Sequence, residues 1–166
     1  NNPINSTTNI NKTKKKGLIK AIGISGYPLD ILYKIAKQYP IDVILSYANY
    51  TLINQSLKLY QEKFQKLGVN IINASPFDMG LLTQHNCPVW HPASALQKEK
   101  IKTIKYYCQK KDISLEKTAF QYCLSYKHPS STLIGIGSNT ELLKCLEWYN
   151  QSLDNKNIKI IQKIIN

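Results

Sequence analysis

The stretch from Val69 to Leu82, VNIINASPFDMGLL, decides how the rest of the chain is interpreted. Its first residues, Val69 to Asn73, are apolar enough for a buried strand, and Ser75-Pro76 ends that strand because proline fixes the backbone and lacks an amide donor. A short loop, Phe77 to Gly80, follows. Ligands of parallel α/β sheets bind at the carboxyl ends of the strands, so this junction is the first candidate for a functional site.

A unit of one apolar strand followed by a polar-faced helix occurs four times along the chain. We predict strands at 18–24, 42–47, 69–73 and 132–136, and helices at 28–38, 54–67, 94–111, 114–127, 140–149 and 157–165, with Asn54 and Ser114 as N-caps and Gly68 as a stop. Short strands rich in Ile, Val and Leu are typical of a parallel sheet covered by helices. The sequence therefore predicts an α/β fold.

The number of units indicates a partial barrel. A complete (β/α)₈ barrel of the TIM type takes about 250 residues, whereas this chain has 166. Four βα units correspond to half of such a barrel. We therefore predict a parallel (β/α) half-barrel of about four βα units with one additional terminal helix.

The first 16 residues, NNPINSTTNINKTKKK, contain almost no apolar side chains. We expect residues 1–16 to be a disordered Asn/Lys-rich insertion or linker, and residues 17–166 to form the folded domain. The chain starts with Asn1 rather than Met, which favours a fragment of a longer protein.

The charge of the chain does not predict a nucleic-acid partner. The net charge is +12, but all 22 basic residues are lysine. Specific recognition of phosphates and bases relies on the planar, bidentate guanidinium of arginine. The lysines are scattered along predicted helices, which is typical of solvated helix faces.

Cysteine and hydropathy patterns indicate the compartment. The four cysteines, Cys87, Cys108, Cys123 and Cys145, form no C-x-x-C pair, and three lie in predicted helices, where a free thiol packs as a small apolar group. No apolar run reaches the length of a membrane span. We expect a cytoplasmic protein without a membrane partner.

Two other groups of residues invite a catalytic or metal-binding interpretation. His85, Cys87 and His91 have no fourth ligand nearby in sequence, so we predict no metal site. Tyr47 and Tyr50 could act as acids, but tyrosine is abundant in this chain, with 11 copies, and packing is the simpler role for both.

Five segments together resemble the carboxyl-terminal half of the aldo-keto reductase family. They are KAIGISGYPLDIL (20–32), DVILSYANYTL (42–52), VNIINASPFDMGLLT (69–83), WHPAS (90–94) and TLIGIGSN (132–139). The resemblance extends over residues 17–166. It is strongest to the branch that contains the L-galactose and D-arabinose dehydrogenases, and it implies that the four strands are the fifth to eighth of a barrel.

The resemblance implies a nicotinamide dinucleotide, NADP or NAD, along the carboxyl ends of these strands. Ser25 and Gly26 would hold the nicotinamide carboxamide, and Ser46 would lie near the same ring. The loop of Ser75, Pro76, Phe77 and Gly80 would surround the pyrophosphate. Gly137, Ser138 and Asn139 would meet the adenosine phosphate at a helix N-terminus, where free amides bind anions. Trp90 and His91 would belong to a substrate lid.

The resemblance also implies an activity. The full-length protein would be an NAD(P)-dependent aldose dehydrogenase that acts on a small-molecule sugar of the L-galactose or D-arabinose type. The catalytic residues of the family lie in the amino-terminal half, so we expect none in this chain and no activity from it alone; the missing half would be its partner. The alternative is a non-enzymatic remnant or a half-barrel interaction module.

Overall fold

The computed structural model describes residues 10–165, in which four strands form one parallel sheet. The strands are β1 (Gly23–Gly26), β2 (Val43–Tyr47), β3 (Asn70–Ala74) and β4 (Ser131–Leu133), and each pairs with the next along the chain. The helices are α1 (residues 10–15), α2 (Leu29–Gln38), α3 (Lys58–Lys66), α4 (Ala95–Lys110), α5 (Leu115–Ser125), α6 (Asn139–Tyr149) and α7 (Asn155–Ile165). The predicted parallel α/β fold is confirmed.

Three helices, α4, α5 and α6, begin at a serine whose side chain accepts a hydrogen bond from a free backbone amide. Ser94 and Gln97 form a reciprocal capping box at the start of α4. Ser114 accepts a hydrogen bond from the amide of Lys117 and caps α5, as predicted. Gly68 follows α3 with φ of +68°, a conformation that suits glycine.

Asn54 is not the N-cap that the sequence predicts. The helix α3 starts four residues later, at Lys58. The side-chain amide of Asn54 donates to the carbonyl of Ala48 at 2.8 Å, and its oxygen accepts from the amide of Ser56 at 3.1 Å. Asn54 therefore stabilises the loop between β2 and α3 instead.

One face of the sheet is covered by helices α2 and α3. Ile44 and Ile71 point into the core on this face, where they lie in one apolar cluster with Leu32 of α2 and Phe64 of α3. In β2, Val43, Leu45 and Tyr47 alternate with the buried Ile44 and Ser46 and are only partly buried. The sheet therefore has a helix-covered face and an opposite face, which we call the helix-free face.

The outer strands are shorter than the apolar runs predict. Leu18 is 73% exposed, and pairing with β2 begins only at Gly23. Strand β4 ends at Leu133, because its partner β3 ends at Ala74 and Ser75 then turns away with φ of +61°. An apolar run in the sequence indicates that its side chains are buried. A β-strand also requires a neighbouring strand that forms hydrogen bonds with its backbone groups.

The described part of the Asn/Lys tract is helical. Residues 10–15 form α1, and the ammonium of Lys14 contacts both carboxylate oxygens of Asp42, at 2.5 and 2.6 Å. The Asp42 carboxylate also accepts a hydrogen bond from the amide of Ile22 at 2.7 Å. These bonds attach α1 to the segment just before β2. Residues 1–9 lie outside the described part, so the insertion or linker expected at 1–16 stays a prediction. No helix between residues 10 and 165 is long and apolar enough to cross a membrane.

Candidate functional site

The loop after β3 has an unusual backbone. Ser75, Asp78, Met79 and Gly80 all have positive φ, at 61°, 47°, 52° and 94°. Only the last is glycine, and the left-handed conformation costs the other residues about 1 kcal/mol each. Backbone strain of this kind is typical of functional loops.

A cavity of about 610 Å³ lies between this loop and the segment that joins β4 to α6. Cavities of this size suit small-molecule and cofactor ligands. The loop contributes Ser75, Pro76, Phe77, Met79 and Gly80; the β4–α6 side contributes Gly135, Ile136, Glu141, Lys144, Cys145 and Trp148; and Ser114 and Glu116 line it from the start of α5. The structure thus brings the predicted Ser75–Gly80 loop to the carboxyl end of β4.

The predicted residues Gly137, Ser138 and Asn139 lie beside the cavity rather than in its wall. The amide of Gly137 already donates to a carboxylate oxygen of Glu141 at 2.7 Å, and Ser138 caps α6 by accepting from the amide of Glu141. A phosphate bound at this turn would have to displace the Glu141 carboxylate. Lys144, which lines the cavity, is a cation in reach of an anionic ligand there.

The remaining cavity wall fits a flat organic ligand. A methyl group added at Gly135 would meet nothing within 4 Å, so the wall is open at this residue. Phe77 and Trp148 in the wall both contact the ring of Phe120, with centroid distances of 6.5 and 6.1 Å. The cavity wall thus combines two aromatic side chains, Phe77 and Trp148, with the ammonium group of Lys144.

Ser25, Gly26 and Ser46 do not share one face of the sheet. Ser25 pairs with Leu45 on the helix-free face and is exposed. Gly26 and Ser46 pair on the helix-covered face, where a methyl group at Gly26 would lie 3.1 Å from Leu32. The Ser46 hydroxyl is fully buried and accepts from the side-chain amide of Asn49 at 2.9 Å. Ser25 alone of the three presents its side chain at the open face.

Trp90 and His91 have different environments. Trp90 is 70% exposed, as a lid residue would be, whereas His91 is buried. Nδ1 of His91 accepts from the amide of Ala93 at 3.1 Å, so Nε2 carries the proton and donates to the carbonyl of Asp78 at 2.9 Å. His91 thus fixes the segment around Trp90 to the strained loop.

The family comparison agrees with this geometry. The model of the Aldo/keto reductase family matches residues 4–166. The chain belongs to the aldo-keto reductase family.

Two characterised relatives are similar to this aldo-keto reductase chain. It is 38% identical to L-galactose dehydrogenase of Arabidopsis thaliana over 136 residues, which are 80% of this chain and 43% of that protein. It is 31% identical to D-arabinose 1-dehydrogenase of Saccharomyces cerevisiae over 173 aligned positions, which cover 92% of this chain and 51% of that protein. The chain spans about half the length of these relatives.

Solved aldo-keto reductases share the fold. The holo form of an aldo-keto reductase from Bacillus halodurans superimposes with a TM-score of 0.73 at 21% identity, covering 98% of this chain and 56% of that one. A glycerol dehydrogenase from Gluconobacter oxydans superimposes with a TM-score of 0.61 at 17% identity, covering 96% and 53%.

Sequence reasoning missed two groups of this candidate site. Glu116 accepts from the amide of Gln84 at 2.6 Å and connects α5 to the loop, and no sequence motif marks that contact. Glu141 could have been found, since Ser138-x-x-Glu141 has the spacing of a helix cap. Within residues 10–165, no three His, Cys, Asp or Glu side chains form a group that could hold a metal ion.

The buried carboxyl group of Asp78 should make the stability of the folded protein depend on pH. It is 8% exposed, and burial raises its pKa to about 6, although His91 acts in the opposite direction. The folded state binds this proton more tightly than the unfolded state does. Protonated Asp78 therefore contributes to the free energy of unfolding at low pH, and this contribution is lost as the pH rises through 6.

We predict that Asp78→Asn stabilises the protein at pH 7.5 by about 1–3 kcal/mol, and that the gain disappears near pH 4. Asparagine also tolerates positive φ, so the backbone is preserved. Urea titrations at both pH values measure the change. Asp112→Asn is the control, since Asp112 also has positive φ, at 53°, but is exposed. An equal, pH-independent response of both variants would refute the role of burial.

Proposed function

We propose that this chain is the carboxyl-terminal, cofactor-binding half of an NAD(P)-dependent aldose dehydrogenase. The observation that supports the proposal most is the cavity between the strained Ser75–Gly80 loop and the β4–α6 connection, at the carboxyl edge of a parallel sheet. Its size and its two aromatic side chains, Phe77 and Trp148, suit a nucleotide. Membership of the aldo-keto reductase family makes the nicotinamide dinucleotides NAD and NADP the appropriate candidates.

Each predicted residue has a proposed part in binding. Ser75, Pro76, Phe77 and Gly80 surround the pyrophosphate, and Ser25 contacts the nicotinamide carboxamide. Gly26 and Ser46 contribute through the backbone, because a side chain at Gly26 would meet Leu32 of α2 and the Ser46 hydroxyl is engaged with Asn49. The adenosine end of the dinucleotide lies against the start of α6, at Gly137, Ser138 and Asn139.

When bound, the nicotinamide supplies the hydride acceptor for oxidation of the sugar. The described residues bind and orient this group and exclude water from it, and Trp90 belongs to the lid over the sugar. The groups that move the proton of the sugar hydroxyl come from the amino-terminal half of the barrel. The sugar is of the L-galactose or D-arabinose type, by similarity to the two relatives. The free cysteines favour a reducing compartment, the cytoplasm, as the place where the protein acts.

The apolar surface near β4 and α6 supports the half-barrel proposal. Leu133 of β4 and Leu142, Leu143, Leu146 and Tyr149 of α6 are all 42% exposed or more. Neither β1 nor β4 has a second partner strand in the part of the chain that the structure describes. In a closed barrel, the edges would pair with the other half and the apolar side chains would be covered.

The activity of the complete barrel tests the proposal. We expect this chain alone to show no dehydrogenase activity, because general acid–base transfer of the hydroxyl proton contributes about 10²–10⁴ in rate. Addition of an amino-terminal half should restore reduction of NAD or NADP with L-galactose or D-arabinose, followed by absorbance of the reduced nicotinamide. Turnover by this chain alone would contradict the division of roles, and an inactive complete barrel would favour a non-enzymatic module.

The strained loop should control cofactor affinity. Gly80→Val places a branched side chain at φ of +94° beside Pro88, so we expect the dissociation constant of the dinucleotide to rise about tenfold or more. Fluorescence titration of the complete protein measures it. Gly68→Val is the matched control, because Gly68 also has positive φ but lies after α3, outside the cavity wall. Equal losses in both variants would indicate general destabilisation.

The exposed strand edges and apolar side chains should cause self-association of this chain in isolation. We expect sedimentation velocity to show dimers or larger species that become one species when the amino-terminal half is added. Leu143→Lys should reduce the association, whereas Leu59→Lys should not, since Leu59 is at least as exposed as Leu143 but lies on α3. A compact monomer at all concentrations would refute the half-barrel proposal.

A further inference from the structure

Lysines are concentrated at the end of the sheet where the strands begin, which we call the amino end. In a parallel sheet each helix runs back across the sheet, so its last turn lies near the start of the next strand. Lys37 lies in the last turn of α2, and Lys63 and Lys66 lie in the last turn of α3. Lys127 follows α5 and precedes β4. Three βα connections thus bring lysines to one end of the molecule.

The segment that joins α1 to β1 adds further lysines at this end. The ammonium of Lys14 contacts the carboxylate of Asp42, just before β2, and this contact places α1 at the amino end. Other lysines of residues 12–20 are exposed to solvent. The complete group of exposed residues, which we call the amino-end lysines, consists of Lys12, Lys15, Lys16, Lys20, Lys37, Lys63, Lys66 and Lys127.

Carboxylates do not neutralise this charge. Within residues 10–165, no carboxylate oxygen lies within 4 Å of the ammonium group of an amino-end lysine. Asp42 is engaged by α1, and Glu62 lies in the middle of α3 rather than at its end. The acidic residues in the first turns of helices belong to the opposite end of the sheet; they are Asp30, Glu116 and Glu141. The amino end is therefore strongly positive, while the cavity lies at the other end.

Helix dipoles explain only part of this pattern. A cation in the last turn of a helix is stabilised by the dipole, which accounts for Lys37, Lys63 and Lys66. Lys16 and Lys20 lie outside the helices, in the segment before β1. The dipoles therefore leave the charges of these two residues unexplained.

Exposed leucines lie among the amino-end lysines. Leu18 lies between Lys16 and Lys20 and is 73% exposed. A methyl group added at Gly17 would meet nothing within 4 Å, so this part of the segment stands out from the rest of the chain. Leu67, which follows the last turn of α3, is 39% exposed. Aliphatic side chains are thus presented to solvent beside ammonium groups.

The tyrosine rings nearest these lysines are not free for stacking. The ammonium of Lys37 lies 5.8 Å from the centroid of Tyr33, and that of Lys63 lies 5.7 and 4.3 Å from the centroids of Tyr33 and Tyr60. Both tyrosines are partly buried. Single-stranded nucleic acids bind by stacking their bases on exposed aromatic rings. Lysines beside an exposed leucine instead suit an anionic lipid surface, because the ammonium groups attract the headgroups and the leucine enters the apolar boundary below them.

We propose that the amino end binds the surface of membranes that contain anionic phospholipids, with Leu18 inserted between the headgroups. The inference does not depend on the proposed function. It needs no apolar run of membrane-spanning length, and the expectation of no membrane partner rested only on the lack of such a run. The missing half of a barrel would add strands and helices beside these elements, so the helix ends remain at the surface. The cavity, at the opposite end, would face the aqueous phase.

Vesicle sedimentation of the complete protein tests the inference. The protein should bind phosphatidylcholine vesicles that contain about one third phosphatidylserine but not pure phosphatidylcholine vesicles, and salt should weaken the binding. A triple variant with Lys15→Gln, Lys16→Gln and Lys20→Gln should have a partition coefficient about tenfold lower or more, because it removes charge from the contact surface.

Matched controls separate the amino end from the rest of the surface. The control with Lys110→Gln, Lys111→Gln and Lys156→Gln removes the same charge from exposed residues of α4, its C-cap and α7, and should bind like the parent protein. Leu18→Ser should lower the partition coefficient roughly 3- to 10-fold, because less apolar surface is buried. Leu96→Ser is its control, since Leu96 is 69% exposed but lies on α4.

Each result has a defined meaning once circular dichroism shows that the variants are folded. No binding of the parent protein to anionic vesicles, equal binding to neutral vesicles, or equal losses in a variant and its control would overturn the inference. Displacement from the vesicles by a short RNA duplex, with unchanged binding of Leu18→Ser, would assign the surface to nucleic acid and overturn it as well. Failure to bind NAD and NADP would contradict the proposed function without changing the vesicle result.

Discussion

The parallel register of β2, β3 and β4 determines where the candidate groups of this chain meet. Tyr47 pairs with Ala74, and Ala74 pairs with Leu133, so the three strands end at one level. The strained loop and the β4–α6 connection leave the sheet from that level and enclose the cavity between them. A shift of one residue in the register would exchange the two faces, placing Tyr47 under the helices and Ser46 at the open side.

The loop after β3 is stable because its surroundings compensate for its backbone. Three non-glycine residues adopt positive φ there, which alone would cost a few kcal/mol. Three buried side chains oppose that cost. Leu81 and Leu82, immediately after the loop, are almost completely buried, and His91 donates to the Asp78 carbonyl from a distant part of the chain. The shape of the loop is therefore fixed by tertiary contacts rather than by its own sequence.

Much of the fold could be predicted because a unit of one apolar strand and one helix repeats along the chain. Strand β2 was expected at 42–47 and occupies Val43–Tyr47, since its residues are both apolar and paired on two sides. The edge strand β1 was predicted too long, because Leu18 is apolar but has no neighbouring strand. Asn54 was misassigned because the local sequence does not distinguish an asparagine that caps a helix from one that stabilises the preceding loop.

The site could be predicted only in outline. The Ser-Pro turn after β3 locates the cavity wall, but sequence does not show which side-chain atoms already have partners. Ser46 is directed away from the open face, and the Gly137 amide is engaged by Glu141. Tyr47 was expected to serve in packing, and its ring does contact Tyr27; its position beside Ala74 becomes evident only from the register.

Asn49 shows how the two faces of the sheet are connected. Its side chain contacts the buried hydroxyl of Ser46 on the helix-covered face and the carbonyls of Tyr27 and Tyr47, whose rings lie on the helix-free face. Its own backbone carbonyl accepts from the amide of Leu57, at the start of α3. The position of α3 is thereby transmitted through one residue to the aromatic pair. A buried polar group with several partners is costly to displace, because each freed partner would lose a hydrogen bond without access to water. The two tyrosine rings are therefore held in place by the same network of hydrogen bonds that docks the helix.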